Sequence, residues 1–312
     1  MTRYLKSTIS SVLSMNADPL PKLPTRAPDA HKGDCGRVLL IGGSTGMAGA
    51  VALAATAALR SGAGYVEVIC PASLLAALTE AVPAAMVHGC GAPDREFLLA
   101  EDLPVMLELA IRCQAVVVGP GLGVSSEQPW LPQLLNGLQG QQPELAVLVD
   151  ADGLNRLAAS DVDLAICTPQ MILTPHPGEA ARLLGWSSAD KVQEDRIAAT
   201  AALSAKTQAV VVLKGAETLV QQQGAPCWSN SSGNVGMATA GSGDVLSGHV
   251  GALLASGMEP LQAARLGVYL HGFAGDMFSA EWGSDGLTAS DLAMWISKAM
   301  RCWREDPTEV RA

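Results

Sequence analysis

Apolar runs a few residues long, each stopped by glycine, proline or a polar residue, recur along this chain. Arg37-Val-Leu-Leu-Ile-Gly42 is the first; Tyr65 to Ile69, Ala115 to Val118, Leu145 to Val149, Met171 to Leu173 and Ala209 to Leu213 follow. Continuous apolar runs of this length between breakers predict strands buried on both faces. Helical stretches separate them: Ala48 to Ser61, Ser73 to Ala81, Trp130 to Leu138 and Asp190 to Ala205. Thr218 to Gln221 and Ala225 to Ser229 predict a hairpin across Gln223-Gly224. Val245, Leu246, Val250, Leu253 and Leu254 recur at the spacing of one helix face, and helices are expected from there to the end. A short helix is expected over 4–15, whereas Pro19, Pro21, Pro24 and Pro28 make 19–28 an extended lead-in. Strands alternating with helices predict an α/β fold, a mostly parallel central sheet with helices on both faces. No linker or internal repeat interrupts 31–295, so a single domain is expected over 31–300, with the lead-in over 1–30 and a tail over 301–312.

Composition sharpens this picture. Of the 312 residues 49% are hydrophobic and only 16% charged, enough for a large core with apolar surface left over for a homo-oligomer, expected to be a tetramer. The net charge of −10 argues against nucleic acid as a partner, which would require basic patches. A nucleotide stays open, because a local cradle of N–H groups holds phosphate on an acidic protein. Seven cysteines without a CxxC pair read as reduced, buried thiols and give no metal site. Ala48 to Ala58, the best apolar stretch, is too short to span a bilayer and is followed by Arg60. Residues 1–16 lack the apolar core of a signal peptide, so the expected location is cytoplasmic, with an organelle-targeting reading of that segment kept beside it.

The informative point is where the polar and glycine residues fall. They gather after the strands, at 42–47, 119–123, 150–155, 174–179 and 214–218. In open parallel sheets the ligand crevice lies at the carboxyl ends of the strands. A further run, Ser229 to Asp244, consists almost wholly of small or polar residues and ends in Gly241-Ser-Gly-Asp244 before the apolar helix. Gly241, Ser242 and Gly243 let backbone approach a ligand, and the first N–H groups of the helix have no partner of their own, an arrangement that attracts phosphate. Asp244 has two readings, a capping carboxylate that suits the helix dipole or a general base beside a phosphate. Lys214, followed by Gly215, either meets a phosphate or reaches solvent from a strand end. His176, held between Pro175 and Pro177, is either a ligand contact or a turn histidine, and Glu179 either serves the site or caps the next helix. Asp150 and Asp152 end a strand, and Asn155 is able to bond its own backbone. His249 reads as packed or surface. Neither GxxxxGK[ST] nor GxGxxG occurs.

With these residues placed, the sequence resembles the ribokinase-like superfamily through Ala240-Gly-Ser-Gly-Asp244, and more closely the NAD(P)H-hydrate dehydratase family. The matching segments are His31 to Ser44, Gly49-Ala50, Gly119-Pro-Gly-Leu-Gly123, Asp150-Ala-Asp-Gly-Leu-Asn155, Thr174-Pro-His-Pro-Gly-Glu179, Lys214-Gly-Ala-Glu-Thr218 and Asn234 to Asp244. The resemblance implies that Lys214, Gly215, Ala216, Glu217, Thr218 and Gly243 hold a nucleotide. It implies that Ala50, Gly123, His176 and Asp244 contact a hydrated nicotinamide cofactor, NADHX or NADPHX, and that Asp244 is the base. Gly241, Ser242, Asn155 and Glu179 join the expected site. The implied reaction dehydrates the S epimer to NADH or NADPH while ADP or ATP is cleaved, with Mg2+ accompanying the nucleotide and no dedicated metal motif. ADP is favoured over ATP here. With only some thirty residues before the match, the family's epimerase domain is expected to act as a separate protein. A hydroxyethylthiazole-kinase type of enzyme and a non-catalytic nucleotide sensor are the alternatives.

Overall fold

The computed structural model describes residues 19–123, 130–160 and 163–305; the helix expected over 4–15 lies outside them. The chain alternates strand and helix through β1 (Arg37–Ile41), α1 (Ala48–Arg60), β2 (Tyr65–Pro71), α2 (Leu75–Ala81), β3 (Met86–Cys90), α3 (Leu103–Ala110) and β4 (Ala115–Val118). It continues through α4 (Leu131–Gln141), β5 (Ala146–Val149), α5 (Asp152–Ala159), β6 (Met171–Leu173), α6 (Pro177–Leu184), α7 (Ala189–Glu194), α8 (Arg196–Thr207) and β7 (Val210–Leu213). The hairpin of β8 (Leu219–Gln221) and β9 (Trp228–Ser229) precedes three helices, α9 (Ser242–Ala255), α10 (Pro260–Trp282) and α11 (Ala289–Glu305). α11 thus carries helix past residue 300, into the stretch expected to be a tail.

One sheet runs β3-β2-β1-β4-β5-β6-β7-β8-β9. The pairs from β3 to β7 are parallel, and the β7–β8 and β8–β9 pairs are antiparallel. Successive side chains of a strand point to opposite faces, and here both faces are covered. Val38 and Leu40 enter a core with α1, α9, α10 and α11, while Leu39 and Ile41 enter a second core with α3, α4, α5 and α6. This is why the strands read as unbroken apolar runs.

Several elements depart from the expected ones: α3 is not among the expected helices, and α5 begins inside the loop expected at 150–155. β3 at the sheet edge carries Met86, His88 and Gly89, which are not buried, so it lacks the apolar run of the central strands. The helix expected from Asp190 to Ala205 is two helices, because Asp195 leaves helical geometry and its carboxylate accepts from Ala198 N at 2.9 Å, capping α8.

The strand order reverses between β1 and β4, and the loops after these strands interlock. Gly43 N donates to Pro120 O at 2.9 Å, and a Cβ on Gly121 would stand 2.5 Å from Met47 O. On the same face, α9 packs backbone to backbone on the alanine-rich α1: a Cβ on Gly248 would fall 1.9 Å from Ala54 O. This contact fixes α9 against the helix that starts at the β1 loop. Gly248→Ala therefore has to push the two helices apart, and overpacking of this kind costs about 1–3 kcal/mol. Chemical denaturation of this variant is expected to show that loss; an unchanged midpoint would contradict the close approach.

Candidate functional site

The site is organised around Lys214, the first residue after β7. Its N–H donates to Pro175 O at 2.8 Å, which ties the 214–218 loop to the loop after β6. Its ammonium donates to Asp150 Oδ1 at 2.6 Å and lies 3.8 Å from Glu179 Oε2. Asp150, at the end of β5, is fully enclosed, and its Oδ2 accepts from Ser247 Oγ of α9 at 2.7 Å. Burial alone would raise the Asp150 carboxyl, but the Lys214 charge and the hydroxyl donors outweigh it and hold the group below its ordinary range. Burial alone would lower Lys214, but Asp150 and Glu179 outweigh it and raise the ammonium. Both directions describe an ionised pair. Arg196, the first residue of α8, donates to Leu213 O, Lys214 O and Ala216 O, so a second cation pins this loop through its carbonyls.

Asp244 sits in the first turn of α9. Gly241 opens the helix at φ 88°, where glycine is at ease, and no side chain caps it. The N–H groups of that first turn are left for a ligand. A Cβ on Gly243 would lie 3.5 Å from Lys214 Nζ, so turn and ammonium border the same space. Among the described residues the Asp244 carboxylate has no hydrogen-bond partner, which leaves the capping reading without a bond to carry it. Burial pushes this carboxyl up to about 7; Asp150 adds to the rise and Lys214 opposes it. Behind the turn, buried His271 donates from Nε2 to Ser242 O at 3.0 Å. His249 is packed inside, against Ser61 Oγ at 2.6 Å.

His176 and Glu179 form a reciprocal cap on α6. His176 Nδ1 accepts from Gly178 N at 3.0 Å, and Glu179 Oε2 accepts from His176 N at 2.8 Å. Because Nδ1 accepts, the ring proton is on Nε2. Burial, then Lys214 and Arg182, lower the imidazole, so the ring is neutral, and its side chain stays half exposed. The turn reading is therefore realised, and Nε2 lies 3.4 Å from Glu179 Oε1. Burial pushes Glu179 up to about 7, with Lys214 opposing and Asp150 adding.

The remaining candidates divide into two groups. Gly215, Ala216 and Glu217 are exposed in the loop beyond Lys214, and Thr218 Oγ1 closes that loop on Gly215 O at 2.8 Å. Ala50 and Gly123 lie at the β1–β4 reversal, where a Cβ on Gly123 would stand 2.7 Å from Ser44 Oγ. Asn155 bridges, donating to Asp152 Oδ1 at 3.3 Å and accepting from Arg182 at 2.7 Å; Asp152 in turn accepts from Gly123 N at 2.9 Å. Sequence reasoning passed over Ser247, Arg196 and Ser44. Ser247 carries a signal in hindsight, since it stands three residues after Asp244 and so on the same side of α9. Arg196 and Ser44 act on carbonyls and carry none.

The sheet order, the reversal beside β1 and the glycine-opened α9 define a ribokinase-like α/β protein. A crystal structure of a ribokinase-like superfamily protein from Enterococcus faecalis has a TM-score of 0.76 at 26% identity, covering 91% of this chain and 93% of that one. The model of the NAD(P)H-hydrate dehydratase family matches residues 38–298, and the chain belongs to that family. The ADP-dependent (S)-NAD(P)H-hydrate dehydratase of Neisseria meningitidis is 40% identical over 286 residues, 91% of this chain and 90% of that protein. The ADP/ATP-dependent NAD(P)H-hydrate dehydratase of Bacillus subtilis, co-crystallized with ATP/Mg2+, has a TM-score of 0.74 at 27% identity, covering 90% of this chain and 95% of that one. The chain spans about half the length of the curated bifunctional NAD(P)H-hydrate repair enzymes that it also matches.

The raised Asp244 carboxyl has a thermodynamic consequence. Its folded value of about 7 exceeds the ordinary 3.8. The protonated form is therefore favoured by folding, and that contribution is present below the ordinary value and lost as pH rises through the folded one. Asp244→Asn keeps a neutral group at every pH. Its melting temperature relative to the parent protein is expected to climb between pH 4 and pH 8; a difference that stays flat across that window would contradict the shift.

Proposed function

We propose that this protein dehydrates the S epimer of NADHX and NADPHX, returning NADH or NADPH while ADP is cleaved to AMP and phosphate. The observation that carries this reading is Asp244, a carboxylate of pKa about 7 held beside Lys214 at an uncapped helix start. A base whose pKa lies near the working pH combines availability with driving force. In the proposed reaction the hydroxyl on C6 of the ring gives its proton to Asp244. Its oxygen forms a bond to the terminal phosphorus of ADP, and the bond to the AMP oxygen breaks with its electron pair. The first-turn N–H groups of α9 and the donors of Lys214 that Asp150 does not take stabilise the charge on the transferring phosphoryl group. The C6–O bond then breaks, phosphate takes the pair, the ring nitrogen supplies electrons to C6, and loss of a proton from C5 restores the dihydronicotinamide.

The proposed roles follow from position. Lys214, Gly215, Ala216, Glu217, Thr218 and Gly243 border the nucleotide, and Gly241 and Ser242 complete its phosphate cradle. Ala50, Gly123 and His176 border the nicotinamide substrate, with the His176 Nε2 proton as a donor. Asn155 and Glu179 act one step back, since both are engaged with neighbouring side chains or backbone. Among the described residues no three His, Cys, Asp or Glu side chains gather to hold a metal. Mg2+ carried by the nucleotide would take phosphate and water as ligands, which suits an ion that rarely needs an all-protein cage, and it would offset phosphate charge there. A separate epimerase supplying the S epimer is the proposed partner in the pathway, and the cytoplasm, with a homo-oligomeric state, the proposed setting.

NADHX incubated with ADP is expected to yield NADH, AMP and free phosphate in equal amounts. A stable phosphorylated substrate with no rise in NADH absorbance would instead mark a kinase. Asp244→Asn is expected to lose about 10²–10⁴-fold in turnover, and the rate of the parent protein to rise with pH through about 7. Near-parental turnover of Asp244→Asn would remove the base from this account. Lys214→Arg, which keeps the charge but not its compact geometry, is expected to weaken the thermal stabilisation by ADP; an unchanged shift would place the ammonium away from the nucleotide.

A further inference from the structure

Outside these loops, four arginines converge on one open cavity of about 520 Å³. Arg26 comes from the proline-rich lead-in, Arg60 from the last turn of α1, and Arg301 and Arg304 from α11; among the described residues Glu305 is the only carboxylate in the lining. None of the lining residues belongs to the candidate active site. On a chain of net charge −10, such a convergence runs against the general field.

The convergence is built rather than incidental. The lead-in is pinned to α11, with Trp303 Nε1 donating to Pro21 O at 3.2 Å and Arg304 to Pro24 O at 2.8 Å. Arg26 then donates to Gly62 O. Gly62 adopts φ 98°, and a Cβ there would stand 2.2 Å from the Arg26 guanidinium, so the glycine makes room for it. Arg304 is lowered by partial burial and then by the charge of Arg26, as expected of like charges that face one another. Glu305 neutralises only Arg301, at 2.8 Å. Arg60 has no partner among the described residues. Among the described residues three guanidinium charges are left uncompensated, and each arginine uses only part of its five donors.

We propose that this cavity is an anion site, separate from the active site, that takes a phosphate-bearing small molecule. Guanidinium forks match phosphate oxygens two at a time, and three surplus charges suit a multiply charged phosphate chain better than one carboxylate. The volume falls within the range of about 300–1,000 Å³ typical of small-molecule sites, larger than a single phosphate requires.

The test uses tripolyphosphate as the probe and calorimetric titration of the whole protein, without added metal. Arg60→Gln combined with Arg301→Gln removes two of the charges without touching the bonds that pin the lead-in. The double variant is expected to keep its melting temperature and its thermal response to ADP while its affinity for tripolyphosphate falls about tenfold or more. Equal affinity in parent and variant would overturn the proposal, because the active site alone would then account for the probe. So would the absence of saturable binding to the parent protein, or equally tight, arginine-dependent binding of citrate, which would deny the preference for phosphate. A response to ADP that is unchanged by the double variant keeps this outcome independent of the reading of the active site.

Discussion

The structure depends on one buried charge pair, Lys214 with Asp150. The 2.6 Å contact joins the ends of β7 and β5, Ser247 adds α9 to the Asp150 carboxylate, and Glu179 brings the loop after β6 within 3.8 Å of the same ammonium. Removing one partner from a fully buried pair costs about 3–5 kcal/mol, mostly through the charge left behind. Lys214 keeps 20% of its side chain exposed, so the cost here is discounted for solvent screening. What the pair secures is geometry. Loops from non-adjacent strands and a helix start arrive at one point at the carboxyl edge of the sheet.

The same pair sets the chemistry by its incompleteness. Lys214 faces Asp150, Glu179 and Asp244, one cation against three carboxyl groups, and its charge is committed chiefly to Asp150. Burial pushes the other two carboxyl groups up to about 7, and Lys214 only partly opposes it. Asp244 thereby becomes a competent proton acceptor near neutral pH, at a cost to the folded state that a capping or paired carboxylate would not incur. Sites of this kind commonly trade stability for function. An incoming phosphate meets the uncapped start of α9 and the donors of Lys214 that Asp150 does not take, on a chain of net charge −10.

Much of this was legible in the sequence because the central strands are buried on both faces and read as apolar runs, and because the glycine-rich loops fall after them. β3 was not legible: an exposed edge strand containing His88 and Gly89 has no reason to look apolar. Asp195 hid a helix break, since one capping carboxylate inside a polar stretch resembles an ordinary surface residue. In the site, Asp244, Lys214 and His176 stood out through their punctuated surroundings. Their neighbours Ser247, Arg196 and His271 act by hydrogen bonds across long sequence separations, which no local pattern records. The two readings of His176 are not exclusive, because Nδ1 caps α6 while the ring, with Nε2 3.4 Å from Glu179 Oε1, stays half exposed.

The central claim is that burial beside Asp150 makes Asp244 a base at neutral pH. A carbon-13 NMR titration of the Asp carboxyl groups, with Asp244 assigned by its absence in Asp244→Asn, reads this directly. The account predicts that the Asp244 signal moves with a midpoint near 7, while Asp150 shows no transition until far more acidic pH. A midpoint for Asp244 near 3.8, the ordinary aspartate value, would contradict it.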